Sequence, residues 1–331
     1  MLYLLYFQLY FISSIAEGNY DQFTNDLHRK LAKADEFEET PGPANLNYFA
    51  KQIFEDLRPF RGGIDQKSVI GAMGYGALYQ IFNGSIYRTH ACVFSASKNP
   101  LENLDILYPA WAFWEGGPAI STYPKGIGDW DETRKKVLSY ADRLPWHQKR
   151  NQTFFLGSRT SPIRDTLVLL SRKSPDLVDA QFTKNQAYKG PDDTLGYPPA
   201  EEKPFEYNCH YKYLVNFRGV AASFRYKHLL LCNSVILNVD GGMLEFFYHK
   251  LIPYYHYIPL EVNTEENWRK TIIFLQSHDE IAEKMAKRAQ TWIRSKLTNR
   301  DVTNYWRKLL SEYTKLLKYE VELDKSLLKI H

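Results

Sequence analysis

The sequence predicts an α/β protein, and two stretches and one pattern carry that expectation. In the first stretch, Tyr211–Phe217 alternates and is rich in aromatic and β-branched residues, which reads as a strand. Arg218-Gly219 then breaks it, Val220–Cys232 places Val220, Phe224 and Leu231 at helical spacing, and Ser234–Val239 is a second short apolar run. In the second, Thr153–Leu156 is a short strand followed by Gly157-Ser158-Arg159-Thr160-Ser161-Pro162. Ser161 fits a helix N-cap and Pro162 the first helical position, with Ile163, Leu167 and Leu170 as the buried stripe. The pattern is the helical C-terminal part: Glu265–Ser277, Asp279–Leu297 and Asp301–Tyr319, the last with a stripe of Val302, Trp306, Leu309, Tyr313 and Leu316.

Strand-to-helix turns of this kind bind phosphates, because free N–H groups and the helix dipole point at the same spot. Arg218 and Arg225 flank the first turn, and Ser158, Arg159 and Arg164 flank the second. Paired guanidiniums suit a diphosphate. The same arginines also fit surface charges on an ordinary α/β unit, and spacing alone leaves both readings open.

At 331 residues the chain is long for one core, so two domains are expected. Hydrophobic content of 44% and charged content of 24% are globular values. Twenty-four tyrosines and seven tryptophans suit walls that stack on sugars or bases, and suit cores better. A net charge of +4 with no basic, aromatic-studded stripe argues against nucleic acid as a partner.

The opening MLYLLYFQLYFISSIA is apolar and uncharged, with Ser14 and Ala16 at cleavage spacing, so residues 1–16 are expected to be a signal peptide. No later stretch is long and apolar enough to span a bilayer. Asn83 and Asn151 head sequons, as a secretory route would allow. Of three cysteines, Cys209 and Cys232 bracket the strand and helix of the first stretch, where a bridge would tie them together, and Cys92 is left over. Asp129-Trp130-Asp131 has a metal-binding shape. It also opens the expected helix Trp130–Leu144, where capping favours aspartate, and no metal is expected.

The rest reads as helix over Asn19–Lys33, loop over Phe37–Asn47, a two-glycine turn over Leu57–Ile64 and a weak helix over Ile70–Ile81. Short strands follow at Ser85–Arg88 and Ala91–Phe94, then an irregular, site-bearing stretch at Tyr108–Pro124. Pro175–Lys203 reads as a polar connection, and Leu244–Pro259 ends in a short strand.

Six strings, LRPFRGGI, YPAWAFWEGGPA, GSRTSPIRD, LVDAQFTKNQA, YKYLVNFRGVAASFRYKHLLLC and LEFFY, resemble the protein O-glucosyltransferases of the Rumi type, within the capsule-associated glycosyltransferases with KDEL-bearing relatives. The resemblance runs from about Leu57 to the last helix. It implies a GT-B-like fold of two Rossmann-like domains facing a cleft: residues 17–145 on the acceptor side, completed by the helix over 301–319, and residues 146–300 for the UDP-sugar. It implies metal-free, inverting transfer of glucose or xylose from the UDP-sugar, with no other cofactor, to serine in the EGF-like repeats of Notch-type receptors and similar proteins.

Carried over by the resemblance, donor contacts fall on Tyr123, Ser158, Arg164, Val220, Ala221, Ala222, Ser223, Phe224 and Arg225. Acceptor contacts fall on Val93, Phe94, Ser95, Ala96 and Ser97, on Ala119, Ile120, Ser121, Thr122, Tyr123 and Pro124, and on Gln186. The family's segment between Cys92 and Tyr108 is longer than VFSASKNPLENLDIL and holds both its general base and the usual partner of Cys92. The N-terminal domain is therefore expected to be incomplete and transfer impaired, with Glu102, Asp105 and Glu115 the carboxylates nearby. The alternative is a protein that binds UDP-sugar or EGF-like repeats without transfer. The chain ends LLKIH instead of KDEL-like, so the endoplasmic reticulum lumen and secretion are both expected destinations.

Overall fold

The computed structural model describes residues 21–37, 48–67, 69, 81–82, 85–86, 93–114, 129–184, 188–239 and 241–321. In chain order the elements are a helix over 21–35 (α1), α2 (Ala50–Leu57), strand pairs β1 (Ile81–Phe82) with β2 (Ser85–Ile86) and β3 (Phe94–Ser95) with β4 (Ile106–Leu107), and α3 (Trp130–Ala141). There follow β5 (Arg150–Ser158), α4 (Asp165–Lys173), β6 (Val178–Thr183), β7 (Tyr211–Phe217), α5 (Tyr226–Leu230), β8 (Val235–Val239) and β9 (Ile258–Leu260). Three helices end the described chain: α6 (Glu265–Ser277), α7 (Asp279–Lys296) and α8 (Asn299–Thr314).

The described residues divide into two compact units. The larger lies within Met1–Gly42, Trp111–Gly241 and His249–Asn299, the smaller within Pro43–Ala110, Gly242–Tyr248 and Arg300–His331. The sequence reading draws its boundary at residue 145. Contacts instead group residues from Trp111 onward with the large sheet, because Trp130 at the head of α3 is fully buried and donates its indole N–H to the Leu297 carbonyl at 2.7 Å. Asp129 caps α3 by accepting from the N–H groups of Asp131 and Glu132, the capping alternative to a metal ligand.

The larger unit is built on a five-stranded, all-parallel sheet of order β6-β5-β7-β8-β9. Every residue of the central β7 is buried, as expected for a parallel strand covered on both faces. Leu167, Val168 and Leu170 of α4, Trp268, Ile272 and Leu275 of α6, and Ala282, Met285 and Ala286 of α7 belong to the core that covers it. Ser161 caps the turn Pro162–Arg164 before α4, with Pro at its first position.

Two expectations are corrected. The stretch Pro175–Lys203 contains β6, whose Val178, Ala180 and Phe182 face the core in alternation. The helix expected over Val220–Cys232 shrinks to α5, and residues 218–225 form a loop in which Val220 is 90% exposed instead of lying on a buried stripe. The loop is held by polar contacts of the Arg225 guanidinium, which helical periodicity cannot register.

Cys209 and Cys232 form a disulfide. Lys149 sits beneath it, donating to the carbonyls of Cys209 (2.8 Å) and Cys232 (2.7 Å) and to the Ser234 hydroxyl (3.2 Å). Burial pulls its ammonium down to about 7, and the three acceptors offset that cost by satisfying all three donors of the charged form.

In the smaller unit a buried aspartate gathers the chain. Asp56 accepts from Gln52 (2.7 Å), from the Leu107 N–H (2.9 Å) and from Lys98 (2.5 Å), whose ammonium also reaches the Asp105 carbonyl. Lys98 and Leu244 exchange backbone hydrogen bonds at 3.1 and 2.8 Å. Helix α8 closes this core: Tyr305 donates to the Leu107 carbonyl and its ring packs 4.6 Å from that of Phe246.

His256 of the larger unit supplies a pH test. Its Nδ1 accepts from the Ile252 N–H at 2.9 Å, and burial, followed by the Arg288 charge, pulls it down to about 4. The folded state thus favours the neutral ring. The contribution is fully present above the ordinary imidazole value of about 6.5 and is lost as pH falls from there toward 4, up to roughly 3 kcal/mol. Urea unfolding at pH 7.5 and 4.5 should show that loss, and His256→Gln should lose less over the same interval; equal losses would place the sensitivity elsewhere.

Candidate functional site

Among the strands of the large sheet β5 comes first in the chain, with β6 on one side and β7 on the other. The direction of chain winding therefore reverses between β5 and β7. Ligands of open parallel sheets bind at such a point, beyond the carboxyl ends of the strands. Here those ends are Ser158 and Phe217, which bring the two glycine-bearing turns of the sequence side by side.

Arg164 spans the gap. Its Nη1 donates to the Ser158 carbonyl at 2.5 Å and its Nη2 to the Arg218 carbonyl at 2.6 Å. The side chain is buried, with its guanidinium 5.5 and 6.0 Å from the ring centres of Phe155 and Phe217. Among the described residues no carboxylate pairs with it. Burial and then the charge of Arg225 pull it down to about 10, so it remains a cation at neutral pH. Arg225 donates to the Leu156 carbonyl and lies against Gly157, where an added Cβ would come within 2.7 Å of its Nη1. A side chain at Gly157 would therefore displace the Arg225 guanidinium. At Gly219 a Cβ would meet only the Ala221 carbonyl at 3.8 Å.

The remaining donor-side residues line the loop between these arginines: Val220 and Ala221 exposed, Ala222 and Phe224 half-buried, Ser223 buried. Arg218 leans away and donates to the Gly241 carbonyl at 3.2 Å. Tyr123, the stretch Ala119–Pro124, Gln186 and the sequon residue Asn83 lie outside the described residues. Asn151 is exposed at the start of β5, with its side-chain oxygen accepting from the Tyr213 hydroxyl at 2.9 Å.

Val93–Ser97 belongs to the smaller unit and is half-buried throughout. The Val93 and Ser95 carbonyls accept from the N–H groups of Ile106 and Tyr108, and the Phe94 ring packs 5.0 Å from Tyr313. The Ser95 hydroxyl donates to the Ser97 carbonyl and also engages the Asp105 carboxylate. Burial pushes the Asp105 carboxyl up, against the pull of that hydroxyl and of Lys98. The sequence reading singled out the arginines and the glycine turns. It missed the reversal point between β5 and β7, because the strand that creates it, β6, reads as polar connection.

Two substitutions test this geometry. If these turns hold the UDP that the resemblance implies, Arg225→Ala should weaken its binding by about 1.5–3 kcal/mol, the range for a hydrogen bond to a charged group. Gly157→Ala should weaken it too while barely changing stability, because the atom it displaces is the end of a flexible side chain. Calorimetry with UDP is the measurement; unchanged affinity in both folded variants would put the diphosphate elsewhere.

The sequence model of glycosyl transferase family 90 matches residues 91–331. The chain is 44% identical to an O-glucosyltransferase rumi homolog of Aedes aegypti, over 87% of this chain and 83% of the relative. It is 38% identical to O-glucosyltransferase rumi of Drosophila melanogaster (94% and 88%) and 40% identical to Protein O-glucosyltransferase 1 of Homo sapiens (90% and 87%). The Aedes match extends over 333 residues but takes in only 87% of these 331, about 288, so the relative carries about 45 residues more within the same stretch. The crystal structure of Anabaena Alr3699/HepE with UDP-glucose covers 55% of this chain and 53% of that one at 9% identity and a TM-score of 0.39, too distant to carry an argument. By its family match and by relatives aligned over most of its length, the chain belongs to glycosyl transferase family 90.

Proposed function

We propose that this glycosyltransferase is a protein O-glucosyltransferase that moves glucose, or xylose, from a UDP-sugar to a serine hydroxyl of EGF-like repeats, with inversion and without a metal. One observation carries the donor half of this reading. Arg164 is a buried cation with no carboxylate partner among the described residues, held across the carboxyl ends of β5 and β7 with Arg225 beside it. A buried charge left unpaired costs several kcal/mol. The diphosphate of a nucleotide sugar is the anion that offsets the cost there, and in transfer the same guanidiniums stabilise the departing UDP. The acceptor half rests on the relatives' names and on the family resemblance.

In this reading the larger unit binds the donor, and the smaller unit, with its C-terminal helix and the segment Val93–Ser97, serves the acceptor. The route is secretory, ending in the endoplasmic reticulum lumen or outside the cell. The acceptor serine must lose a proton, a step worth about 10²–10⁴-fold when a base is positioned for it. Asp105, half-buried beside Ser95, is the carboxylate of the smaller unit that stands at this segment.

A second reading is favoured by the length difference of about 45 residues within the aligned stretch: a protein that binds UDP-sugar or EGF-like repeats without transfer. Incubation with UDP-glucose, and separately with UDP-xylose, and a folded EGF-like repeat bearing C-x-S-x-P-C, followed by mass, separates the two. The expected result is a hexose shift that accumulates more slowly than with a full-length relative and slows further in Asp105→Asn. A defect in turnover, with UDP affinity intact, is the mark of a weakened base. No shift from either donor alongside binding of UDP or of the repeat would establish the second reading, and binding of neither would overturn both.

A further inference from the structure

The mechanism leaves one ion pair beside the site unused. Asp165 opens α4, one residue beyond Arg164. Both of its carboxylate oxygens are taken by Arg159: Nε donates to Oδ1 at 2.8 Å and Nη2 to Oδ2 at 2.6 Å. The third arm of the fork, Nη1, donates to the Asp192 carbonyl at 3.1 Å, which ties the loop after β5 to the turn Pro191–Thr194. A planar guanidinium can hold both oxygens of one carboxylate in this way, and a lysine cannot.

The alternative partner for that carboxylate is close at hand in the chain. Arg164 is a cation held only by carbonyls, and carbonyls orient a guanidinium without cancelling its charge. An unrestrained carboxylate on the next residue would be drawn to it, and a neutralised Arg164 has lost its attraction for an anion. We propose that Arg159 is a positioning residue that holds the Asp165 carboxylate away from Arg164, so that the charge spanning β5 and β7 stays available to the nucleotide diphosphate. The inference rests on the nucleotide reading of the site. It assigns to Arg159 a role without contact to the ligand: it keeps an anion out of a site built for anions.

The test is a charge-suppression cycle read by calorimetry with UDP on the whole chain. Arg159→Gln should bind about tenfold more weakly than the unsubstituted chain, whereas Arg159→Gln with Asp165→Asn should return to within about threefold of it. Asp165→Asn alone should stay within about threefold as well, because removing the carboxylate removes the competitor. Rescue separates the proposal from a purely architectural role. If Arg159 served only to hold the loop, the double variant would bind as weakly as Arg159→Gln or more so, and that result overturns the proposal, as does an Arg159→Gln variant of unchanged affinity. Arg159→Lys, which keeps the charge and loses the fork, should show a smaller weakening rescued in the same way; it takes the place of Arg159→Gln if melting by circular dichroism shows the latter unfolded. An unsubstituted chain that does not bind UDP refutes the nucleotide reading itself, while binding without rescue refutes only the role of Arg159.

Discussion

The guanidinium of Arg164, stretched between the carbonyls of Ser158 and Arg218, is the contact on which the donor half depends. It exists only because β5 and β7 lie side by side and in parallel, so that both chains present a carbonyl at the same end of the sheet. Phe155 and Phe217 supply its walls, and a cation over aromatic faces recovers part of the hydration it gives up. The disulfide and Lys149 act at the opposite end of this arrangement. They tie the start of β7 to the chain just before β8, and so fix the strands whose far ends Arg164 joins.

The two units handle buried cations in opposite ways. In the smaller unit Lys98 is met by the carboxylate of Asp56, itself completed by Gln52 and the Leu107 N–H, so charge and hydrogen bonds close internally. Such a pair serves architecture: it joins α2, β4 and the residues after β3, and breaking one side would strand the other charge in a low dielectric. In the larger unit Arg164 is met by carbonyls alone. Its hydrogen bonds are directed, and its charge is not cancelled. Burial and its neighbour Arg225 lower its proton affinity, though not to where it would be neutral.

Much of this was legible in the sequence where the signal is local. Ser161-Pro162 reads as a cap because hydroxyl and ring each satisfy a requirement of the first turn, and the structure places them there. The bounds of Glu265–Ser277 emerge unchanged, since Thr264 caps that helix and its buried stripe holds the helical period. The failures are non-local. Loop 218–225 has helical spacing, yet its conformation answers to the Leu156 carbonyl, far away in the chain. Strand β6 carries an alternating Val178, Ala180 and Phe182, but Asp179 and Gln181 between them and the polar residues around them mask it. Without β6 the sheet has no reversal point, and the two arginine-bearing turns cannot be seen to be neighbours.

That last point explains why the arginines read ambiguously from sequence. A guanidinium on an exposed α/β surface and one at a diphosphate site have the same local spacing. They differ in what surrounds them: the first is hydrated and costs little, the second is dehydrated, directed and left without an acid. Arg159 and Arg164 lie five positions apart on one turn and fall on either side of this line. Arg159, partly exposed, is paired with the two oxygens of Asp165, whereas Arg164, nearly inaccessible, meets main-chain carbonyls through its two Nη groups and leaves its buried Nε without a partner. A fold that needed both only for stability would gain by sharing the one carboxylate between them, since a buried guanidinium gains more from an acid than a solvated one does. The structure gives the acid to the arginine that needs it less. That distribution weakens the resting protein locally, and it is intelligible where the missing negative charge arrives with the ligand.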